Sequence, residues 1–302
     1  MKILKKYSLL FMATVFLCMA CDENIVPVVP VENSNAVTTI NQTVTVTGIP
    51  IDVGGTHKPY VLGSTAAKFG YYLYTPGGYS STTTGYPLLI FLHGKGERGD
   101  GTNSLTVLNK VLNNGIPKII KSGSWKPTHP MLVVSPQFHG TIGNLNNWGG
   151  GDPTHLKTFI EYMLRHYRID PKRIYLTGLS HGGNGIYDYL SKQDDATSYI
   201  AAAAPVASWG ARAGFVKSND TPIWTFVGKN DIMNFKTSLN FVTMYNAQLP
   251  APRYKAKISV FLNAGHDVWT RTYSGTGIGT ADPLYSPFNQ ALTDWFYQYK
   301  RP

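Results

Sequence analysis

The stretch Gly178-Leu179-Ser180-His181-Gly182 leaves this chain few folds to choose from. The run before it, Arg173 to Thr177, is rich in β-branched and aromatic residues, and Gly183 to Leu190 after it carries apolar residues at helical spacing. That predicts a strand, a sharp turn and a helix, with a serine at the apex. The flanking glycines permit a strained backbone and a close strand-to-helix approach, so the hydroxyl projects clear of the sheet. With 30 glycines in 302 residues, a bare Gly-x-Ser-x-Gly means little. Its context decides.

The same rhythm recurs along the chain. Tyr86 to Leu92 is an almost unbroken apolar run, as expected of a central strand buried on both faces. Phe69 to Pro76, Met131 to Val134, Arg173 to Thr177, Ile200 to Ala207, Ile223 to Val227 and Ile258 to Leu262 read as further strands. Helical spacing marks Leu105 to Asn113, His155 to Tyr167, Gly183 to Lys192, Lys236 to Gln248 and Ser286 to Tyr299. Alternation of this kind predicts a doubly wound α/β domain with a mostly parallel sheet and helices on both faces. No internal repeat and no second folded domain is visible.

Ligands of open parallel sheets sit at the C-terminal ends of the strands, so the residues standing there matter most. His93 to Asp100 follows the Tyr86 to Leu92 strand and Ser180 the next motif-bearing one. Asp231 stands just beyond Val227, and His266 just beyond Leu262. Serine, acid and histidine thus appear in the order of the α/β-hydrolase triad. The types answer a chemical need. A serine hydroxyl does not ionise near neutrality, histidine can take and return its proton, and a carboxylate holds the imidazole in the right tautomer. Asp267, next to His266, also carries a carboxylate, but neighbours in sequence usually point apart, so Asp231 is the expected acid and Asp267 the alternative. A tetrahedral intermediate also needs backbone donors, expected from the N–H of His181 and from Lys95, with Gly94 or Gly96 in reserve.

Net charge is +10, of which +7 remains once Lys2, Lys5 and Lys6 are set aside. The other basic residues are dispersed, which argues against a nucleic-acid surface. Both cysteines, Cys18 and Cys21, fall near the N-terminus, so the folded part has no disulfide and no thiolate nucleophile. Eight histidines show no metal-ligand spacing, and neither a metal nor a cofactor is expected.

Lys2 to Lys6 followed by the apolar Tyr7 to Met19 reads as an export signal over residues 1–20. Leu17-Cys18-Met19-Ala20-Cys21 resembles a bacterial lipobox, which implies acylation of Cys21. Residues 21–36, with Pro27 and Pro30, read as an extended tether. The domain is then 37–302, opening with a strand over Val37 to Gly48. A lipid anchor would be its only link to a membrane, on a bacterial cell envelope, with secretion as the alternative.

Taken together, His93 to Asp100, Ser135-Pro136-Gln137, Gly178 to Gly183 and Gly265 to Trp269 resemble bacterial α/β-hydrolase serine esterases. These are the group that includes feruloyl esterases, acetyl xylan esterases and polyhydroxybutyrate depolymerases. The likeness covers about Phe69 to Tyr299. It implies an ester hydrolase acting through an acyl-enzyme, with acyl or feruloyl esters of plant polysaccharide as the expected partners. Lys95 and His181 depart from the group, which usually carries a small residue and a methionine there. Gln137, Trp148 in the glycine-rich loop Gly143 to Gly151, Trp209 and Trp269 are expected substrate-binding residues, since an indole at a strand end suits a sugar or aryl ring. Glu97 and Arg98 resemble the group's charged pair after the oxyanion loop, which implies a structural ion pair, with direct substrate contact as the alternative. A peptidase or lipase on the same triad, or a glycan-binding lipoprotein without catalysis, are the alternatives.

Overall fold

The computed structural model describes residues 48–140, 148, 154–210, 216 and 220–302. The signal, Cys21, the tether, the strand expected over Val37 to Gly48 apart from its last residue, and most of the glycine-rich loop lie outside the described residues.

The strand nearest the middle shows why this sequence makes a two-faced sheet. Strand β3 (Tyr86–Leu92) is buried at every position. Leu88, Ile90 and Leu92 join one apolar layer with Phe159, Ile160, Ile186, Leu190 and Phe241. Leu89 and Phe91 join the opposite layer with Ile116, Ile120, Trp295 and Phe296. The two-residue side-chain period of a strand sorts one apolar run into two cores.

Eight strands form one sheet in the order β1-β2-β4-β3-β5-β6-β7-β8. They are β1 (Thr56–Tyr60), β2 (Gly70–Thr75), β3, β4 (Leu132–Gln137), β5 (Ile169–Leu179), β6 (Ile200–Val206), β7 (Trp224–Gly228) and β8 (Lys257–Phe261). The pairs β1–β2 and β2–β4 are antiparallel and the rest parallel. One layer of helices holds α3 (Thr154–His166), α4 (His181–Lys192) and α5 (Ile232–Asn246). The other holds α2 (Gly115–Lys121), α6 (Trp269–Ser274) and α7 (Leu292–Tyr297). The short α1 (Leu105–Leu108) runs into a 3-10 turn, Asn109–Asn113. The thinnest pairing lies between β6 and β7, where Val206 opposite Phe226 is the single register pair, beside an isolated bridge from Ala203 to Ile223.

Three elements depart from expectation. The last helix begins at Leu292, not Ser286. Pro287 disfavours helical backbone at Ser286, whose N–H instead bonds Ile258 O at 2.9 Å and extends the segment along β8. Strand β1 was not expected; Pro59 confines it to the sheet edge, where a missing N–H costs no ladder bond. Helix α5 starts four residues before the expected Lys236, directly after Asp231, which therefore stands at a helix head.

Candidate active site

Ser180 ends the β5 run and begins α4 with φ 53° and ψ −118°, a backbone conformation that an L residue adopts only under strain. Its neighbours hold it there. The Ser180 N–H donates to Val206 O at 2.8 Å, which fastens the turn to β6. Helix α4 lies so close to the end of β3 that a Cβ on Gly182 would sit 2.0 Å from Leu92 O. Only glycine fits.

Asp231 follows β7 and His266 follows β8. Their loops are tied together by bonds from Lys229 N to Phe261 O and from Asn230 N to Ala264 O, each 2.9 Å. The three side chains meet in one line. His266 Nδ1–H donates to Asp231 Oδ2 at 2.6 Å, and the Ser180 hydroxyl donates to His266 Nε2 at 3.0 Å. Asp231 is mostly covered, while His266 is about half open to solvent, its side chain 46% exposed. This is the arrangement that lets an imidazole withdraw a serine proton. Asp267 turns away to cap α6, accepting from Thr270 N at 3.1 Å and Thr270 Oγ1 at 3.0 Å.

Asn234 belongs to this line and was not anticipated. One helical turn beyond Asp231, its Nδ2 donates to Asp231 Oδ2 at 2.7 Å and reaches Ala207 O at 3.4 Å. Its 3.3 Å approach to His266 Nδ1 brings two donors to one shared acceptor. The signal was the i to i+3 spacing on a helix head, which puts both side chains on one face.

The loop after β3 lies beside the serine, since a Cβ on Gly94 would be 3.6 Å from Ser180 Cβ. Lys95 opens a 3-10 turn there and His181 opens α4, and the first N–H groups of a helix have no acceptor within it. The expected donors thus stand at the starts of the two turns nearest Ser180. His93 braces this loop. Its Nδ1–H donates to Gly94 O at 2.6 Å and its Nε2 accepts from Phe138 N at 3.0 Å, joining the ends of β3 and β4.

Two expected pocket residues turn out to belong to the same brace. Gln137 is buried, and its Nε2 donates to Glu97 O at 2.9 Å and Val107 O at 2.7 Å, so its amide nitrogen faces the loop's backbone. Trp148 Nε1 donates to His93 O at 2.9 Å while its ring packs on Phe69, His93 and Phe138. The Glu97 carboxylate accepts from Asn114 Nδ2 at 2.6 Å. Trp209 is placed differently. It is 42% exposed after β6 and edge-on to the His181 ring at 5.6 Å. Trp269 stands edge-on to His266 at 5.2 Å. Ile232 and Met233, next to Asp231, add an exposed apolar rim. Among the described residues no three His, Cys, Asp or Glu side chains converge as metal ligands.

Burial sets the charge of two histidines near the serine. It pushes His93 down to about 4, and it lowers His181 as well, helped by the cations Lys95 and Arg98. For His93 the unfolded chain gains a proton as pH falls below about 6.5, whereas the folded chain resists until about 4. Stability is therefore full above 6.5 and declines towards pH 4, by about 3 kcal/mol from this residue. His57 in β1 shifts the same way through burial. Urea midpoints from pH 7 to 4 are expected to fall, and His93→Gln, which keeps one donor and one acceptor, is expected to flatten the slope. Equal slopes in both proteins would contradict a buried neutral His93.

The comparisons with known proteins agree with this architecture. Residues 135–266 match the prolyl oligopeptidase family. The bifunctional acetylxylan esterase/xylanase XynS20E of Neocallimastix patriciarum is 25% identical over 182 residues, covering 60% of this chain. The chain spans about a quarter of that relative's length, the aligned part being 24% of it. The crystal structure of a thermostable esterase superposes with TM-score 0.56 at 22% identity, over 83% of this chain and 64% of the other. With its strand order, its serine at a strained strand-to-helix turn and these likenesses, the chain has the α/β-hydrolase fold.

Proposed function

We propose that the chain is a serine carboxylic-ester hydrolase. The observation that carries this reading is the unbroken line from Asp231 through His266 to Ser180. Ser180 Oγ attacks the ester carbonyl carbon as His266 Nε2 takes its proton, and Asp231 stabilises the imidazolium. The N–H groups of His181 and Lys95 receive the developing oxyanion. Collapse expels the alcohol, protonated by His266. Water, deprotonated by the same imidazole, then attacks the acyl-enzyme and releases the acid with Ser180 restored.

Acyl or feruloyl esters of plant polysaccharide are the substrate class we favour. The partial likeness to an acetylxylan esterase supports this, as does Trp209, whose exposed indole beside the serine suits a sugar or aryl ring. The match to the prolyl oligopeptidase family favours peptide amides as the second reading. A panel of p-nitrophenyl esters of increasing chain length, methyl ferulate, acetylated xylan and a peptide p-nitroanilide separates them. We expect turnover of the esters and a fluorophosphonate adduct on Ser180. Turnover of the anilide alone would move the assignment to a peptidase, and no turnover with no adduct would end it.

The same reading anchors the protein to a bacterial envelope through Cys21. A Cys21→Ser chain is expected to leave the membrane fraction for the soluble one. Retention in the membrane fraction would count against lipidation.

A further inference from the structure

The loop after β3 brings cations to the nucleophile. A Cβ on Gly94 would stand 3.6 Å from Ser180 Cβ, and the next residue, Lys95, carries an exposed side chain. Arg98, three residues further on, is half-buried. Both cations lower the pKa of His181, the residue after Ser180, so both lie within electrostatic reach of the serine. Burial is the larger cause of that shift and keeps the His181 ring neutral near pH 7. The cations, not the imidazole, therefore set the charge on this side. Lys95 forms no ion pair with a described carboxylate. The acids of the surrounding loops are engaged elsewhere: buried Glu97 accepts from Asn114, Asp100 from Thr102, Asp231 from His266 and Asn234, and Asp267 from Thr270.

Strand order decides which part of an ester meets these cations. Strands β3 and β7 lie on opposite sides of β5, so Lys95 and Arg98 stand on one side of Ser180, and Asp231 and His266 on the other. The departing alcohol oxygen must reach His266 to take its proton. That turns the alcohol part towards β7 and β8 and leaves the acyl part to the β3 side. We propose that the site selects esters whose acyl part ends in a free carboxylate, half-esters of dicarboxylic acids, and that Lys95 is the residue that selects them. The Lys95 ammonium, a point charge on a flexible four-carbon stem, pairs with the carboxylate, and Arg98 adds to the attracting field. The main-chain N–H of the same Lys95 receives the oxyanion, so one residue meets the acyl group at both ends. The inference rests on the ester-hydrolase reading and narrows its acyl part.

The test compares mono-p-nitrophenyl adipate with the p-nitrophenyl ester of adipamic acid, a neutral isostere with the same chain length and leaving group. We expect kcat/KM to be about tenfold higher for the anion at low salt, and the preference to shrink as sodium chloride is raised. Lys95 is exposed, so substitutions there should fold. Lys95→Gln is expected to bring the ratio near one, Lys95→Arg to keep most of it, and Lys95→Glu to invert it. The ratio is the readout, because the main-chain donor serves both esters alike. A second pair, p-acetoxybenzoate and p-acetoxybenzamide, puts the charge on the alcohol part, and its ratio is expected to stay near one in every variant. Equal turnover of the two adipic esters, or a preference that Lys95→Gln leaves intact, would overturn the proposal while the ester-hydrolase reading stands. A preference that depends on Lys95 but is confined to the acetoxybenzoate pair would overturn it by moving the charge to the alcohol side. No turnover of any ester would overturn both.

Discussion

Ser180→Ala is expected to lower kcat on p-nitrophenyl acetate by roughly six orders of magnitude, the scale seen when the nucleophile of a serine triad is removed. What survives comes from groups the mutation leaves in place, the backbone donors at His181 and Lys95 and the substrate contacts. The size of the loss reflects how the three side chains work as one device. His266 has nothing to deprotonate without Ser180, and Asp231 has no cation to stabilise. Asp231→Asn should cost less, about four orders of magnitude, by holding the imidazole in the wrong tautomer. Asn234→Ala should cost least, about ten- to a hundredfold and in kcat rather than KM, since it removes one hydrogen bond to a charged oxygen that touches no substrate. Combining Ser180→Ala with Asp231→Asn should add almost nothing to the first change. Single-turnover rates on protein free of wild-type carry-over give the order directly. A Ser180→Ala protein that kept even one hundredth of the activity would remove serine from the chemistry.

The largest effect on stability is expected from Gly182→Ala. The added Cβ would meet Leu92 O at 2.0 Å, Leu92 C at 2.6 Å and His93 O at 2.8 Å, all main-chain atoms that no rotamer change can clear. Relief requires α4 to back away from β3, which opens the core beneath Ile186 and Leu190 and moves Ser180 as well. A cost of roughly 3 kcal/mol or more follows from such overpacking, or about 6–12 °C in melting temperature for a domain of this size. Gly140→Ala is the matched control, because a Cβ there has nothing within 4 Å. Melting curves of the two variants should differ by that margin. Equal melting temperatures would mean that the approach of α4 to β3 is looser than described.

The sheet and the triad were legible because both write themselves into local pattern. Runs such as Tyr86 to Leu92 are apolar throughout, and chemically scarce types stand where strands stop. What the sequence hid depends on direction and on neighbours distant along the chain. Gln137 and Trp148 occupy positions suited to a pocket, yet both point at the backbone of the Gly94 to Arg98 loop, and nothing in their own stretch says so. His93 was read as part of a motif, while its work is to bridge two strand ends through Gly94 O and Phe138 N. Helices α2 and α6, of seven and six residues, are too short to display a period. Asn234 could have been found, had the helix after β7 been started at Ile232.

The line from Asp231 to Ser180 crosses the sheet where its pairing is thinnest. Ser180 is bonded to β6, whereas the acid and the base ride on β7 and β8, whose loops are bonded to each other. The two groups of strands are held together by the Val206–Phe226 pair, the Ala203–Ile223 bridge and main-chain bonds such as Ala207 N to Phe226 O at 2.8 Å. A fluctuation that loosens this seam separates nucleophile from base, and it works against both apolar layers, which run across it with Ile186 and Phe241 in one and Val206 and Phe226 in the other. The order of the two losses on warming is readable from exchange at the seam: the Ala203 and Ala207 amides, bonded to Pro222 O and Phe226 O, exchange faster than the core strands if the line opens before the fold does, and at the same rate if both fail together.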